Sequence, residues 1–272
     1  MADVIFSNLV IDRVLQGLFE QTKKDADGKE YLEVIGALNQ IQNLNINTST
    51  DPKDAVDARG VLIKRFYTSK NVEVSGENAI MNLDLAGLQF GNPKSNASDD
   101  SKIVLPRIMQ VPVTGTTITL KDTPITGTLT VYVCNSMGLP EVRCAQGEQA
   151  DTGVFSYATS SKTITLPTDV TSGMVQIKYE YETNKGAMVL QTADKFPETC
   201  RFTLSVLACE PCDPETLRHV YIVFPSFQLS PDVDLSIATD GVHAFSGSAQ
   251  VDYCSPDKKM FYIAMSDDDT EE

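Results

Sequence analysis

The sequence predicts a mainly β protein: a β-sandwich or barrel with one flanking helix, plus an inserted small all-β, Ig-like domain. Three observations carry this. Alternating apolar and polar residues recur along the chain, as in "TITL", "LTVYV" and "VQIKYEYE", the period of a strand with one buried face. Between residues 107 and 188, turn residues return roughly every eight to twelve positions, the rhythm of short strands in a sandwich. One segment combines helical spacing with both a start and a stop signal.

The elements follow in order. "VIFSNLVIDRVLQGLFEQ" fits either a short helix through Val10, Val14, Leu15 and Leu18 or a β-branched strand. "KKDADGKEYLEVIG" predicts a tight turn at Asp27–Gly28 leading into a strand. Leu44, Ile46 and Thr48 alternate in "IQNLNINTST", as in a strand. "TDPKDAVDARGVLIKRFYTSKN" is polar and Pro-bearing with an apolar centre, and is expected to be a long loop or arm. "SGENAIMNLDLAGLQFGNP" predicts the helix, with a Ser75 cap, apolar Ile80, Leu83 and Leu88, and a stop at Gly91–Pro93. Residues 108–187, dense in Thr, Val, Ile, Tyr and Gly, are expected to form the inserted sandwich-like domain. The flanks, 1–107 and 188–272, then make one discontinuous β domain. In "CRFTLSVLAC", Phe202, Leu204, Val206 and Ala208 fall on one strand face.

Composition narrows the function. With 272 residues and 42 % hydrophobics, the chain holds one large domain or two modest ones. The net charge is −15, and residues 189–272 carry 15 of the 37 acidic side chains but only 5 of the 22 basic ones. Gripping DNA requires cations that displace phosphate counterions, so this balance argues against a DNA-gripping protein. No apolar run nears the roughly 20 residues of a membrane span. The start lacks a basic segment, apolar core and cleavage site, so a protein made in a cytoplasm is expected. Six Cys in such a chain are weak grounds for disulfides.

The search for chemistry centres on "LACEPCDPETLRHV". Cys209 and Cys212 are the candidate metal pair, with Cys200 and His219 nearby. Structural zinc needs four ligands, usually as two close pairs, and no second C-x-x-C exists. A redox C-x-x-C sits at a helix start, whereas here a turn leads into the strand "VYIVF". A strand end and a Pro-directed turn are the expectation. Only two His occur, His219 and His243, and no G-x-S-x-G elbow accompanies them. Phosphate-binding Gly-rich loops are missing. An EF-hand alignment over "KKDADGKEYLEV" puts Lys23 and Val34 where carboxylates are required. The chain is therefore expected to be no enzyme, with no catalytic residue, metal or other cofactor, and to work through its surfaces.

The phrases "KFPETCRF", "VYIVFPSFQL", "VDLSIA" and "VDYC…KKMFYIAM" stand in an order that resembles the C-terminal part of tail tube proteins, the major tail proteins of tailed bacteriophages. "KRFYTSKNVEVSGENAIMNLDLAGLQFG" resembles the arm and helix of a tube subunit, and residues 108–187 resemble β domains inserted into phage structural proteins. The resemblance implies a tail-tube-like fold and self-assembly into hexameric rings that stack into a hollow tube for DNA ejection. DNA would pass through without specific binding. Other tail proteins, such as tape measure, sheath or terminator proteins, would be partners, with no membrane. The location implied is the virion tail, after synthesis in the host bacterial cytoplasm. The arm supplies the candidate subunit contacts Asp51, Asp54, Asp57 and Arg59. The competing expectations are a capsid or decoration protein, or a carbohydrate- or receptor-binding β module. The absence of Trp argues against the last.

Overall fold

A computed structural model describes residues 8–239, 241–253 and 255–270. Contacts divide the chain into two compact units, one joining the residues up to Lys94 with those from Val189, the other being Ser95–Met188. In chain order, β1 (Val10–Lys24) and β2 (Glu30–Leu38) form a hairpin, β3 (Ile41–Val56) and β4 (Leu62–Asn78) a longer one, and α1 (Leu83–Gln89) follows. The second unit opens with β5 (Ser95–Asn96), β6 (Ile103–Pro112), β7 (Thr117–Thr119), β8 (Thr130–Cys134) and β9 (Pro140–Arg143). It continues through β10 (Ala145–Gly147), β11 (Val154–Ala158), β12 (Thr163–Thr165), β13 (Met174–Thr183) and β14 (Ala187–Met188). The chain returns to the first unit with β15 (Thr199–Glu210), β16 (Asp213–Leu229), β17 (His243–Ala249) and β18 (Tyr262–Thr270). The fold is mainly β with one helix among the described residues, as the sequence predicts.

The first unit is one eight-stranded antiparallel sheet in the order β2-β1-β15-β16-β17-β4-β3, with β18 as an extra partner of β16. β17 pairs with β16 along Phe227–Leu229, and β18 pairs with it between Arg218 and Val223. The core lies on one face. Cys200, Phe202, Leu204, Val206 and Ala208 of β15 are all buried, in the alternation the sequence shows. Phe202 stacks on Phe19 at 4.4 Å and on Phe227 at 5.1 Å, with Phe245 edge-on at 6.2 Å. Full burial of a Phe side chain contributes about 1.5–3 kcal/mol, so this cluster anchors the sheet. A Cβ added to Gly17 in β1 would stand 2.8 Å from Ile41 Cδ1. The sheet thus curls until β1 covers the start of β3.

Three expectations for this unit are resolved or revised. Residues 10–24 resolve to a strand, because their backbone pairs with β15 from Val10↔Cys209 to Glu20↔Arg201. The helix does not begin at Ser75, which lies in β4 opposite Ser246 of β17. It is capped at Asn82, whose Oδ1 accepts from the N–H groups of Asp84 and Leu85 at 2.8 and 3.1 Å, satisfying two donors at the helix start. Pairing on both sides of β4 overrides the local cap signal. The stop is as expected: Gly91 has φ +68° and its N–H reaches Leu88 O at 3.3 Å, a glycine-terminated end. The third change is the long loop, which is the hairpin β3–β4. Pro52 is tolerated there because β3 is an edge strand.

The second unit has two four-stranded sheets, β10-β11-β12-β7 and β6-β13-β8-β9. Phe155 and Ile164 from the first and Val131, Val175, Ile177 and Tyr179 from the second share one buried cluster. All pairings are antiparallel except β10 with β11. Its first and last strands, β5 and β14, pair with each other through Asn96↔Ala187. The boundary expected at 107/108 falls inside β6, whose ten residues pair with β13, so the contact boundary lies earlier, at Lys94/Ser95.

Candidate functional site

The C-x-x-C is spread over a strand end and a turn. Cys209 is buried at the end of β15 and Cys212 is exposed beyond it. Cys200 sits in the core, where burial pushes its thiol up to about 12. The His219 ring stacks near Tyr221 at 6.2 Å. Cys254 lies outside the described residues. Among the described residues, no group of three or more His, Cys, Asp or Glu could hold a metal ion. His243 is buried and serves the fold: its Nε2 meets Gln89 Oε1 at 2.8 Å and its Nδ1 accepts from the Asn82 N–H at 3.3 Å. Gln89 in turn donates to Ala244 O. This network pins α1 to β17, and burial holds the imidazole below its ordinary pKa.

What remains is surface, and the β3–β4 hairpin dominates it. Its base is held between β17 and the core, where Val72 and Val74 are buried. Beyond Val72, β17 stops, and β4 pairs with β3 alone. Residues 62–71 are exposed at every position. At about 3.3 Å per residue they reach some 30 Å past the end of β17. The side chains there are not those of a solvent loop: Val56, Val61, Leu62, Ile63, Phe66 and Tyr67 are all about half or more exposed. An isolated two-stranded hairpin is marginally stable in water, and exposed apolar clusters mark contact surfaces.

The four residues singled out from the sequence all lie on this arm. Asp54 accepts a bidentate pair from Arg65 at 2.7 and 2.9 Å, which lowers the Asp54 pKa. Asp57 Oδ1 accepts from the N–H groups of Arg59 and Val61 at 2.8 Å each, forming the tip turn that ends at Gly60. Asp51 carboxylate accepts from Ser69 Oγ. The three acids therefore shape the arm from within. The apolar side chains are the signal that a polarity count passes over.

Two further features belong with the arm. The end strands of the sheet, β2 and β3, and the outer side of β18, which pairs with β16 alone, each leave one row of backbone groups without a strand partner among the described residues, which are templates for further strands. Tyr31, Leu32 and Val34 along β2 are also exposed. No described helix is long and apolar enough to cross a membrane. No curated protein matches the chain. Residues 61–262, from the tip of the arm through the second unit to the start of β18, match the model of the YomU/Tube protein family, and the chain belongs to that family of phage tail tube proteins.

Proposed function

We propose that the chain is the tail tube subunit of a phage virion, assembling into rings, hexameric in the family resemblance, that stack into the conduit for DNA ejection. The observation that supports this best is the pairing of an apolar arm with two open strand edges. The edges β2 and β3 differ, so joining one to the other in the next copy is a heterologous contact, which closes into a ring when the rotation between copies closes and runs on as a filament when it does not. Edge pairing satisfies backbone groups that otherwise invite uncontrolled association. The arm, with Asp51, Asp54, Asp57 and Arg59 holding and presenting its apolar residues, contacts the neighbouring ring. The other tail proteins meet the ends of the stack. Negative-stain electron microscopy of the concentrated protein tests the reading. Hollow tubes or rings of uniform diameter support it, a closed shell favours a capsid role, and a monomer at every concentration favours a decoration or binding module.

Residues 95–188 are an inserted domain that decorates the tube. Asn96 and Ala187 are cross-strand partners, so the two ends of the insertion are adjacent and the chain can be rejoined across them. A chain lacking 97–186 still forms tubes if the domain is decoration, and fails to if those strands build the wall.

A further inference from the structure

The inserted unit, residues 95–188, carries nine acidic side chains against seven basic ones, in a chain of net charge −15. Three of its five lysines nevertheless line a single cleft of about 420 Å³: Lys102, Lys121 and Lys162. They come from three separate segments. Lys121 follows β7 and Lys162 sits in the β11–β12 turn. The β12–β7 ladder, with Thr163 opposite Thr119, draws these two together. Leu120 N–H donates to Lys162 O at 2.8 Å, and Lys162 Nζ donates to Lys121 O at 3.5 Å. Lys102 arrives from the other sheet, just before β6, and its Nζ lies 3.9 Å from Glu182 Oε2 of β13.

Like charges gathered in one place repel, and the cleft does little to cancel them. Two acids line it, Asp122 and Glu182. Asp122 is already engaged: its Oδ2 lies 3.0 Å from Arg107 Nη1 and accepts from Tyr179 OH at 3.3 Å. The Arg107 guanidinium also lies over the Tyr181 ring at 4.9 Å. Glu182 stands at the outer limit of pairing with Lys102. Lys121 and Lys162 have no carboxylate partner among the described residues. The loop that carries Lys121 and Thr123 is held firmly, since Ile125 N–H donates to Glu180 O at 2.8 Å and Thr128 Oγ1 to Ile125 O at 2.8 Å. Lys162 has φ +53°, a left-handed conformation in which Gly or Asn is the easier residue. A lysine therefore stands where the backbone alone favours another side chain.

We infer that this cleft binds a phosphate ester that carries no base, with Lys121 and Lys162 as the principal contacts, Lys102 at the rim and the Thr123 hydroxyl as a further donor. Lysine acts on phosphate as a point charge, whereas forked recognition of a carboxylate uses arginine. The arginine beside this cleft, Arg107, is turned to Asp122 instead. No aromatic side chain lines the cleft, so a nucleobase has nothing to stack on, and the excess of acids opposes a long nucleic acid. A small phosphomonoester and a base-free phosphodiester chain both present the chemistry that fits.

Isothermal titration of the full-length protein tests the site. The probes are glycerol 1-phosphate, an abasic oligodeoxynucleotide of about ten units, the matching oligothymidylate, and polyglutamate of similar length. Both phosphate probes without bases are expected to bind at one site per chain. Lys121→Gln with Lys162→Gly is expected to weaken that binding at least about tenfold, the worth of two charge-assisted contacts. Glycine accepts the φ of residue 162, so the thermal midpoint of this variant should not fall. Lys121→Gln alone leaves the turn untouched and should give a smaller loss of the same sign. A control that removes the same charge outside the cleft, Lys178→Gln with Lys185→Gln, is expected to change affinity less than about twofold. An abasic chain that binds at least about tenfold tighter than glycerol 1-phosphate identifies the polymer as the ligand; equal affinities identify the monoester. Absence of phosphate binding overturns the site, as does an equal loss in the control variant. Polyglutamate binding as tightly as the abasic chain overturns the phosphate assignment, and oligothymidylate binding more tightly than the abasic chain overturns the exclusion of bases.

Discussion

The two halves of the β3–β4 hairpin have the same strands and the same kind of ladder, yet opposite surroundings. At the base, β17 pairs along β4, and alternate residues Val72 and Val74 are buried. In the arm both faces are open, and Phe66 and Tyr67 are 48 % and 68 % exposed. The base is held by its own core. The arm has only turn chemistry, one bidentate ion pair and cross-strand contacts, which together are worth little in water. Along this hairpin, burial stops where β17 stops, and the apolar side chains beyond it are open on both faces.

That contrast can be broken from either side. Phe202→Ala strikes the core under the base and is expected to cost about 3–5 kcal/mol, read by urea unfolding, with assembly lost as a consequence. At the other border of the base, a Cβ on Gly91 would run into the Phe196 backbone at a φ of +68°. Gly91→Ala is therefore expected to cost more than about 1 kcal/mol, seen as a lowered thermal midpoint. Deleting Asp51–Gly60 should reverse the pattern, abolishing tube growth while leaving the thermal midpoint of the subunit nearly unchanged; normal tubes from this deletion would sink the arm's proposed role. Leu62→Asp and Tyr67→Asp are expected to alter stability by no more than about 0.5 kcal/mol, yet to raise the concentration at which tubes appear by light scattering.

The smallest effect is one of pH. Burial lowers the His243 pKa from the ordinary 6.5, so the unfolded chain takes up the proton first. Stability present above about 6.5 is then lost as pH falls through the depressed folded value. His243→Gln should flatten that slope in unfolding midpoints measured across the acid range; an unchanged slope would mean that other groups set it.

The sequence makes legible what is local. The Asp27–Gly28 turn forms as expected, with Gly28 at φ +80°, because the pair has few alternatives. The inward face of β15 follows directly from alternation. What is long-range is illegible: Ser75 resembles a helix cap until β3 and β17 flank it, and nothing local says that they will. The arm reads as a loop because Asp, Lys and Pro dominate its first half. Its Leu62, Ile63, Phe66 and Tyr67 were visible, but without a core to oppose them they had no assignable side. The cleft of Lys102, Lys121 and Lys162 draws on three segments far apart in the chain, so no window of sequence displays it.

The pairing of Val10 with Cys209 also has a consequence in time. At roughly 5–20 residues per second of synthesis, the ribosome needs about 10–40 s to make the chain between them. Residues 95–188 are complete about 0.5–2 s before β15 begins to be made, so the inserted unit has a short head start in folding. The β1–β2 and β3–β4 hairpins meanwhile wait without β15–β17. During that wait their apolar faces are open to other nascent chains, and loop closure over such a distance is slow. The aggregation hazard is therefore highest before the subunit is finished, when no core covers those strands.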